Sequence, residues 1–96
     1  MAVLRLTRLK TDPADVKEML ARRATLIDAV RRAYPGLLQA QLAKVDDQTW
    51  VDAWRWESRG NAEAALANVR AIPEAGAAFW LTRDATAEFA DLVDER

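Results

Sequence analysis

Alternation of apolar and polar side chains marks residues 2–10 as a strand. Leu4 and Leu6 fall on one side of this strand, whereas Val3, Arg5, Thr7 and Leu9 fall on the other. Both sides carry apolar residues, so we expect the strand to belong to a sheet that is covered on both faces.

A long helix is predicted after this strand and before Pro35. Residues 11–13 offer a capping side chain followed by a proline, which is tolerated in a first helical turn. Apolar residues then recur at steps of three and four, at Val16, Met19, Leu20, Ile27, Val30 and Tyr34. The residue before a proline leaves helical geometry, so the helix ends near Tyr34.

A hairpin of two strands is predicted over residues 37–46 and 48–58, with a polar turn at residues 46–48. One face of its second strand carries Trp50, Asp52, Trp54 and Trp56, and the other carries Thr49, Val51, Ala53, Arg55 and Glu57. Three tryptophans therefore share one side of the hairpin.

Helical spacing returns over residues 62–72, and Pro73 ends that helix and begins a shorter one towards Leu81. The tail from Thr86 suits both a strand and a helix face. We prefer a strand, because the order strand, helix, hairpin, helix leaves room for a fourth strand beside the first. Residues 1–96 are thus predicted to form one α+β domain of ferredoxin-like βαββαβ layout with a four-stranded antiparallel sheet.

Composition narrows the functions that the chain can have. Fourteen basic and fifteen acidic residues give a net charge of −1, which argues against binding of nucleic acid or an anionic membrane. Cysteine and histidine are both absent, so we expect neither a metal site nor a cysteine nucleophile. Without a nucleotide or flavin motif we expect no cofactor, and without a secretory pattern or an apolar run of about 20 residues we expect a cytoplasmic protein.

Two short motifs give the chain a family resemblance. Residues 54–58 (Trp-Arg-Trp-Glu-Ser) end the hairpin before an alanine-rich helix, and residues 35–37 (Pro-Gly-Leu) follow the long amphipathic helix. In this arrangement the chain resembles the antibiotic biosynthesis monooxygenase-like family of the dimeric α/β-barrel superfamily. The resemblance implies a homodimer whose two sheets pack together, with a pocket in each subunit between sheet and helices. It also implies a cofactor-independent monooxygenase as one possible activity.

Two positions depart from the family pattern. Nine residues after Trp56, where many members carry a histidine or a tryptophan, this chain has Ala65, and this counts against haem degradation. The first strand offers Arg5, Leu6, Thr7 and Arg8 but no counterpart of the asparagine that is usual near its end.

The tryptophan face is open to two interpretations. Trp54 and Trp56 could stack on an aromatic ligand, but large aromatic side chains more often fill a core or an interface. Asp52, between Trp50 and Trp54 on the same face, could transfer a proton if it is desolvated. A buried ion pair with Arg5 or Arg55 is the more common arrangement for such a carboxylate.

Aromatic residues outside the sheet are further candidates. The hydroxyl of Tyr34 could hydrogen-bond a phenolic substrate, although such a residue more often closes the edge of a core. Neighbouring residues on a helix diverge by about 100°, so we expect one of Phe79 and Trp80 to face the core and the other a pocket or a partner. The arginine doublets of the long helix are interpreted as a solvated face that pairs with Glu18 and Asp28.

Two hypotheses follow for the function. The first is a cofactor-independent monooxygenase acting on a small aromatic or apolar molecule, with catalytic residues Tyr34, Asp52 and Arg55 and substrate-binding residues Arg5, Trp54, Trp56 and Trp80. The second is a non-catalytic dimeric module that binds a ligand or a partner.

Overall fold

The computed structural model describes residues 2–96, apart from the side chain of Arg70. Its elements in chain order are β1 (Val3–Lys10), α1 (Val16–Ala33), β2 (Leu37–Lys44), β3 (Thr49–Trp56), α2 (Arg59–Asn68), α3 (Pro73–Phe79) and β4 (Arg83–Asp91). Single 3₁₀ turns precede α1 and follow α2. All neighbouring strands pair antiparallel in the order β2-β3-β1-β4, which confirms the predicted ferredoxin-like α+β fold.

The pairing register fixes which side chains share a face of the sheet. Val3 pairs with Trp56 and Leu9 with Trp50, so the odd-numbered residues of β1 lie on the same side as the tryptophans of β3. Both β2 and β4 contain one register shift against their neighbours. The side that carries the tryptophans packs against the helices, and we call it the helix side.

Two separate apolar clusters pack between the sheet and the helices. The larger cluster joins the sheet to all three helices through Val3, Leu26, Ile27, Val30, Leu37, Trp56, Ala62, Ala65, Ala75 and Ala78. The smaller cluster consists of Leu9, Met19 and Trp50. Small alanines dominate α2 and α3, so the backbones of these helices can approach the large indoles of the sheet closely.

The start of α1 differs from the sequence prediction. Asp12 makes no capping hydrogen bond; its carboxylate instead accepts one from Arg83 at 3.0 Å. The hydroxyl of Thr11 donates to the carbonyl of Leu81. The polar residues before α1 therefore tie this end of the helix to the segment that begins β4, which a local capping pattern cannot reveal.

The turn between β2 and β3 lies where the sequence predicts it. The carboxylate of Asp46 accepts hydrogen bonds from the backbone N–H groups of Gln48 at 3.0 Å and Thr49 at 2.8 Å. These hydrogen bonds, the one from Gln48 foremost, stabilise the ionised form and lower the pKa of Asp46. The carboxylate of Asp46 thus supplies the acceptor for these two backbone N–H groups of the turn.

The prediction that one of Phe79 and Trp80 faces the core is wrong. Both residues are exposed, Phe79 to 53% and Trp80 to 82%. The short helix α3 buries Ala75 and Ala78, and Leu81 continues this three-residue spacing towards the smaller cluster. The two aromatic residues fall between these positions and therefore point away from the sheet.

No helix within residues 2–96 is both long enough and apolar enough to cross a lipid bilayer.

Candidate functional site

The helix side of the sheet is organised in rows of residues that pair across the strands. The two central rows are Ala40, Trp54, Arg5 and Phe89, followed by Leu42, Asp52, Thr7 and Ala87. Four of these residues form two direct pairs between the middle strands, Trp54 with Arg5 and Asp52 with Thr7. We call these four residues the central quartet. It lies between the two apolar clusters and brings a carboxylate, a guanidinium, a hydroxyl and an indole together.

Asp52 is held by an arginine of α1. Both of its carboxylate oxygens accept hydrogen bonds from Arg23, from Nε at 2.9 Å and from Nη2 at 2.8 Å. The side chain of Asp52 is 10% exposed, and that of Arg23 is 18% exposed. The prediction of a buried ion pair is therefore confirmed, but the predicted partners Arg5 and Arg55 are wrong. The bidentate geometry fixes the orientation of the carboxylate over the sheet.

Two indoles form the aromatic wall of the site. The ring centres of Trp54 and Trp56 lie 6.5 Å apart with a tilt of 38°, a favourable separation for an aromatic pair. Trp56 is 1% exposed and belongs to the core, whereas Trp54 is half-buried. Trp54 is thus the indole that can contact a ligand directly.

Buried indole N–H groups add unused donors to the helix side. Neither Trp50 nor Trp56 has a hydrogen-bond acceptor for its Nε1 among residues 2–96. A buried donor without an acceptor costs about 1–3 kcal/mol. Both indoles nevertheless remain in place, because each fills a cluster whose apolar contacts outweigh that cost.

In the row that contains Trp54, Arg5 on β1 and Phe89 on β4 are the next two residues. The guanidinium of Arg5 lies 4.7 Å from the ring centre of Phe89, and that of Arg59 from α2 lies 4.8 Å from it. Arg5 is half-buried, and its contact with the ring is of the cation–π type. The site therefore has an aromatic side at Trp54 and a cationic side at Arg5.

The structure places five of the seven predicted site residues on the helix side. Arg5, Asp52 and Trp54 belong to the central quartet, and Trp56 lies beside it. Tyr34, partly buried at the end of α1, packs against the larger cluster.

The other two predicted residues lie elsewhere. Arg55 pairs with Leu4 on the opposite side of the sheet, where its guanidinium forms an ion pair with Glu95. Trp80 lies at the exposed end of α3. The structure therefore does not bring Arg55 and Trp80 together with the central quartet in one subunit.

Arg23 and Phe89 are site residues that the sequence interpretation missed. Arg23 stands four residues after Met19 and four before Ile27, and both of these are buried. That spacing places Arg23 on the buried stripe of α1, so the signal was present in the sequence. Phe89 could not be located without the register of β4 against β1.

Two surface depressions lie away from this site. One, of about 350 Å³, adjoins the turn between β2 and β3 at Lys10 and residues 46–49. The other, of about 210 Å³, lies between α1 and α3 beside Glu18 and Glu74. Within residues 2–96, acidic side chains do not gather in groups of three that could hold a metal ion.

Comparison with known proteins gives a likeness of fold. No protein-family model matches the chain, and no curated protein matches it either. Solved structures, however, match it over nearly its whole length. SnoaB, a cofactor-independent oxygenase from Streptomyces nogalater, has a TM-score of 0.78 at 20% identity over 98% of this chain and 95% of its own.

Two further structures agree with this likeness. A candidate antibiotic biosynthesis monooxygenase from Caulobacter crescentus CB15 has a TM-score of 0.77 at 19% identity, covering 97% of this chain and 91% of its own. Rv0793 from Mycobacterium tuberculosis has a TM-score of 0.67 at 23% identity, covering 99% and 98%. The resemblance inferred from the sequence is thus confirmed for the fold, which is the one found in structures of antibiotic biosynthesis monooxygenases.

Proposed function

We propose that the chain is a cofactor-independent monooxygenase that acts on a small aromatic or apolar molecule bound between the sheet and the helices. The observation that carries this proposal is the central quartet, in which the half-buried Trp54 lies across from Arg5 and next to the row of Asp52. The fold shared with SnoaB, which is a cofactor-independent oxygenase, supports it.

Such a reaction requires few groups from the protein. An electron-rich substrate loses a proton from a carbon atom, and the resulting anion reduces molecular oxygen. A CH₂ group and O₂ then give a C=O group and water, so the substrate supplies all the electrons. The protein must bind the ring, accept the proton and keep bulk water away.

The residues of the helix side suit these tasks. Trp54 offers a face for stacking, with Trp56 behind it. Asp52 is the proton acceptor through the oxygen lone pairs that Arg23 leaves unused, and Arg23 acts as a positioning residue that holds its carboxylate. The hydroxyl of Tyr34 at the rim of the larger cluster donates a hydrogen bond to a substrate oxygen. Arg55 and Trp80 are left out, because they lie away from this side of the sheet.

Oxygen consumption by the purified protein tests the proposal. A panel of polyphenols and quinols whose keto tautomers carry a CH₂ group is offered, and uptake of oxygen is measured together with the oxidised product. The Asp52→Asn variant is expected to lose turnover by about 10²-fold or more, as is typical for removal of a general base. Tyr34→Phe removes only a hydroxyl and is expected to lower turnover without changing the unfolding midpoint.

Asp28→Asn is the matched control, because Asp28 is an exposed carboxylate of α1. It is expected to leave turnover unchanged. Circular dichroism of each variant separates loss of chemistry from loss of fold. If no substrate of the panel supports oxygen uptake, or if Asp52→Asn retains full turnover, the proposal is wrong.

A non-catalytic ligand-binding module is the second candidate. The buried Ala65 favours it, since this alanine occupies a position where many members of the resembling family carry a functional side chain. Under this alternative the protein retains an aromatic ligand in native mass spectra but consumes no oxygen.

We also propose that the chain forms a homodimer through the side of the sheet that faces away from the helices. The half-buried aliphatic residues of that side are Leu4, Leu6, Val51, Ala53 and Ala90. A second sheet packed on them would complete their burial.

A further inference from the structure

Among residues 2–96, no carboxylate pairs with the guanidinium of Arg5. Arg5 lies in the middle of the sheet, half-buried, between Trp54 on β3 and Phe89 on β4. Its guanidinium contacts the Phe89 ring but has no hydrogen-bond or ion-pair partner within residues 2–96. None of its nitrogen atoms is both fully buried and unpaired, so they remain accessible to water or to a ligand.

Two nearby carboxylates are already engaged, and a third is exposed to water. Asp52, in the next row, gives both oxygens to Arg23 at 2.9 and 2.8 Å. Glu63 on α2 pairs with Arg59 at 3.0 Å. Asp91, which follows Phe89 on the same side of β4, is exposed to water. The five donors of the Arg5 guanidinium therefore remain available to an acceptor from outside the chain.

The surroundings of Arg5 suit a flat anion. A guanidinium binds two oxygens of a carboxylate side by side, and the contact of the Arg5 guanidinium with the Phe89 ring restricts its position. Cross-strand neighbours have Cβ atoms about 5 Å apart. A ring that stacks on Trp54 can therefore place an attached anionic oxygen at Arg5.

Arg59 lies in the same region. Its guanidinium also lies over the Phe89 ring, at 4.8 Å from the ring centre, while its side chain remains 58% exposed. Because Arg59 also pairs with Glu63 at 3.0 Å, this second guanidinium packs on the Phe89 ring without adding a free positive charge.

We infer that Arg5 binds an anionic oxygen of the ligand, which makes the substrate class an aromatic carboxylate or phenolate rather than a neutral aromatic molecule. This inference rests on the proposed function only in placing the ligand at the same site. Arg5 provides the charge, Phe89 orients it and Trp54 holds the ring.

Isothermal titration calorimetry at pH 7 with 1-naphthoate and the neutral 1-naphthamide tests this inference. The two probes share a ring system and differ in charge. The wild-type protein is expected to bind naphthoate at least about tenfold more tightly, since hydrogen bonds to a charged group contribute more than neutral ones. Arg5→Gln is expected to abolish this preference and to leave the affinity for naphthamide within about twofold.

Arg8→Gln is the matched control, because Arg8 lies on the same strand but on the opposite side of the sheet. This variant is expected to keep the preference for naphthoate. The inference is overturned if the wild-type protein binds neither probe, if it binds both equally, or if Arg5→Gln retains the preference. Binding of naphthoate, combined with no oxygen uptake from any polyphenol or quinol of the panel, would instead refute the monooxygenase and leave the anion site intact.

Discussion

The pair formed by Arg23 and Asp52 lies between the two apolar clusters of the helix side. Taking both charges out of water is costly, and their mutual attraction repays this cost only when the geometry is good. The two hydrogen bonds of 2.8 and 2.9 Å provide that geometry. Each charge thus depends on the other for its stability in the core.

Replacing Arg23 by Met is therefore expected to lower the free energy of unfolding by about 3–5 kcal/mol, because Asp52 is left buried without its partner. Urea denaturation followed by tryptophan fluorescence measures the change. The control is Arg22→Met at the neighbouring position, where Arg22 pairs with Glu18 and the two side chains are 33% and 59% exposed. An exposed pair of this kind contributes only about 0–1 kcal/mol.

A double variant decides whether the lost stability comes from the unpaired carboxylate. Arg23→Met combined with Asp52→Leu removes both charges and is expected to recover most of the stability. If the double variant is no more stable than Arg23→Met alone, the loss comes from packing of the arginine stem rather than from the unpaired charge.

The sequence pattern predicts a solvated face for both Arg22 and Arg23. Adjacent helical residues point about 100° apart, so Arg22 and Arg23 cannot share one environment. Arg22 does pair with Glu18 on the surface, as predicted. Arg23 faces inward, and only the placement of α1 over the sheet shows that Asp52 lies beneath it.

The junction between β2 and α2 depends on a glycine. The carbonyl of Gly36 accepts a hydrogen bond from the N–H of Glu57 at 2.8 Å, which joins the start of β2 to the end of β3. A Cβ atom at position 36 would lie 2.7 Å from Nδ2 of Asn61 and 3.0 Å from its Cβ. Rotation of the Asn61 side chain moves the amide but not the Cβ, so the contact cannot be fully relieved.

Gly36→Ala is thus expected to destabilise the protein by about 1–3 kcal/mol, as overpacking typically does. The unfolding midpoint in urea measures the effect. Gly76→Ala provides the contrast, because a Cβ there meets no atom within 4 Å and the residue lies inside α3. That change is expected to stabilise the protein by about 0.5–1 kcal/mol. Equal effects of the two substitutions would show that the contact with Asn61 does not restrict position 36.

The sequence predicts best the elements in which apolar and polar residues alternate regularly. Alternation over β1 and over β3 identified both strands and the face of the tryptophans, because one face of each strand is buried. The strand β4 begins at Arg83, whereas the alternation of apolar and polar residues starts only at Thr86. Its first residues are exposed on both sides, so burial leaves no pattern there.

The orientation of the short helix α3 was not predictable in this way. Seven residues make only two turns, and alanines supply its buried positions. Side chains as small as these give little contrast between a buried and an exposed face. The large neighbours Phe79 and Trp80 therefore dominate the pattern although both are exposed.

At the scale of the whole molecule, the two sides of the sheet are used differently. Helices cover the side of the tryptophans, while the opposite side carries a half-buried aliphatic centre at Leu6, Val51 and Ala53. Polar residues surround this centre at Gln39, Gln41, Thr86 and Glu88. An apolar centre with a polar rim is typical of a protein interface.

Leu6→Arg is expected to convert the proposed homodimer into a monomer, because Leu6 lies near the middle of this face and an arginine there would bury a charge in the interface. Within one subunit the new guanidinium can pair with its cross-strand neighbour Glu88, so the fold is retained. Sedimentation velocity measures the mass of each form. The control is Leu20→Arg, which introduces the same charge at a 44% exposed position of α1 and leaves the dimer intact. A monomeric wild-type protein, or a dimeric Leu6→Arg variant, would show that this face does not join two copies of the chain.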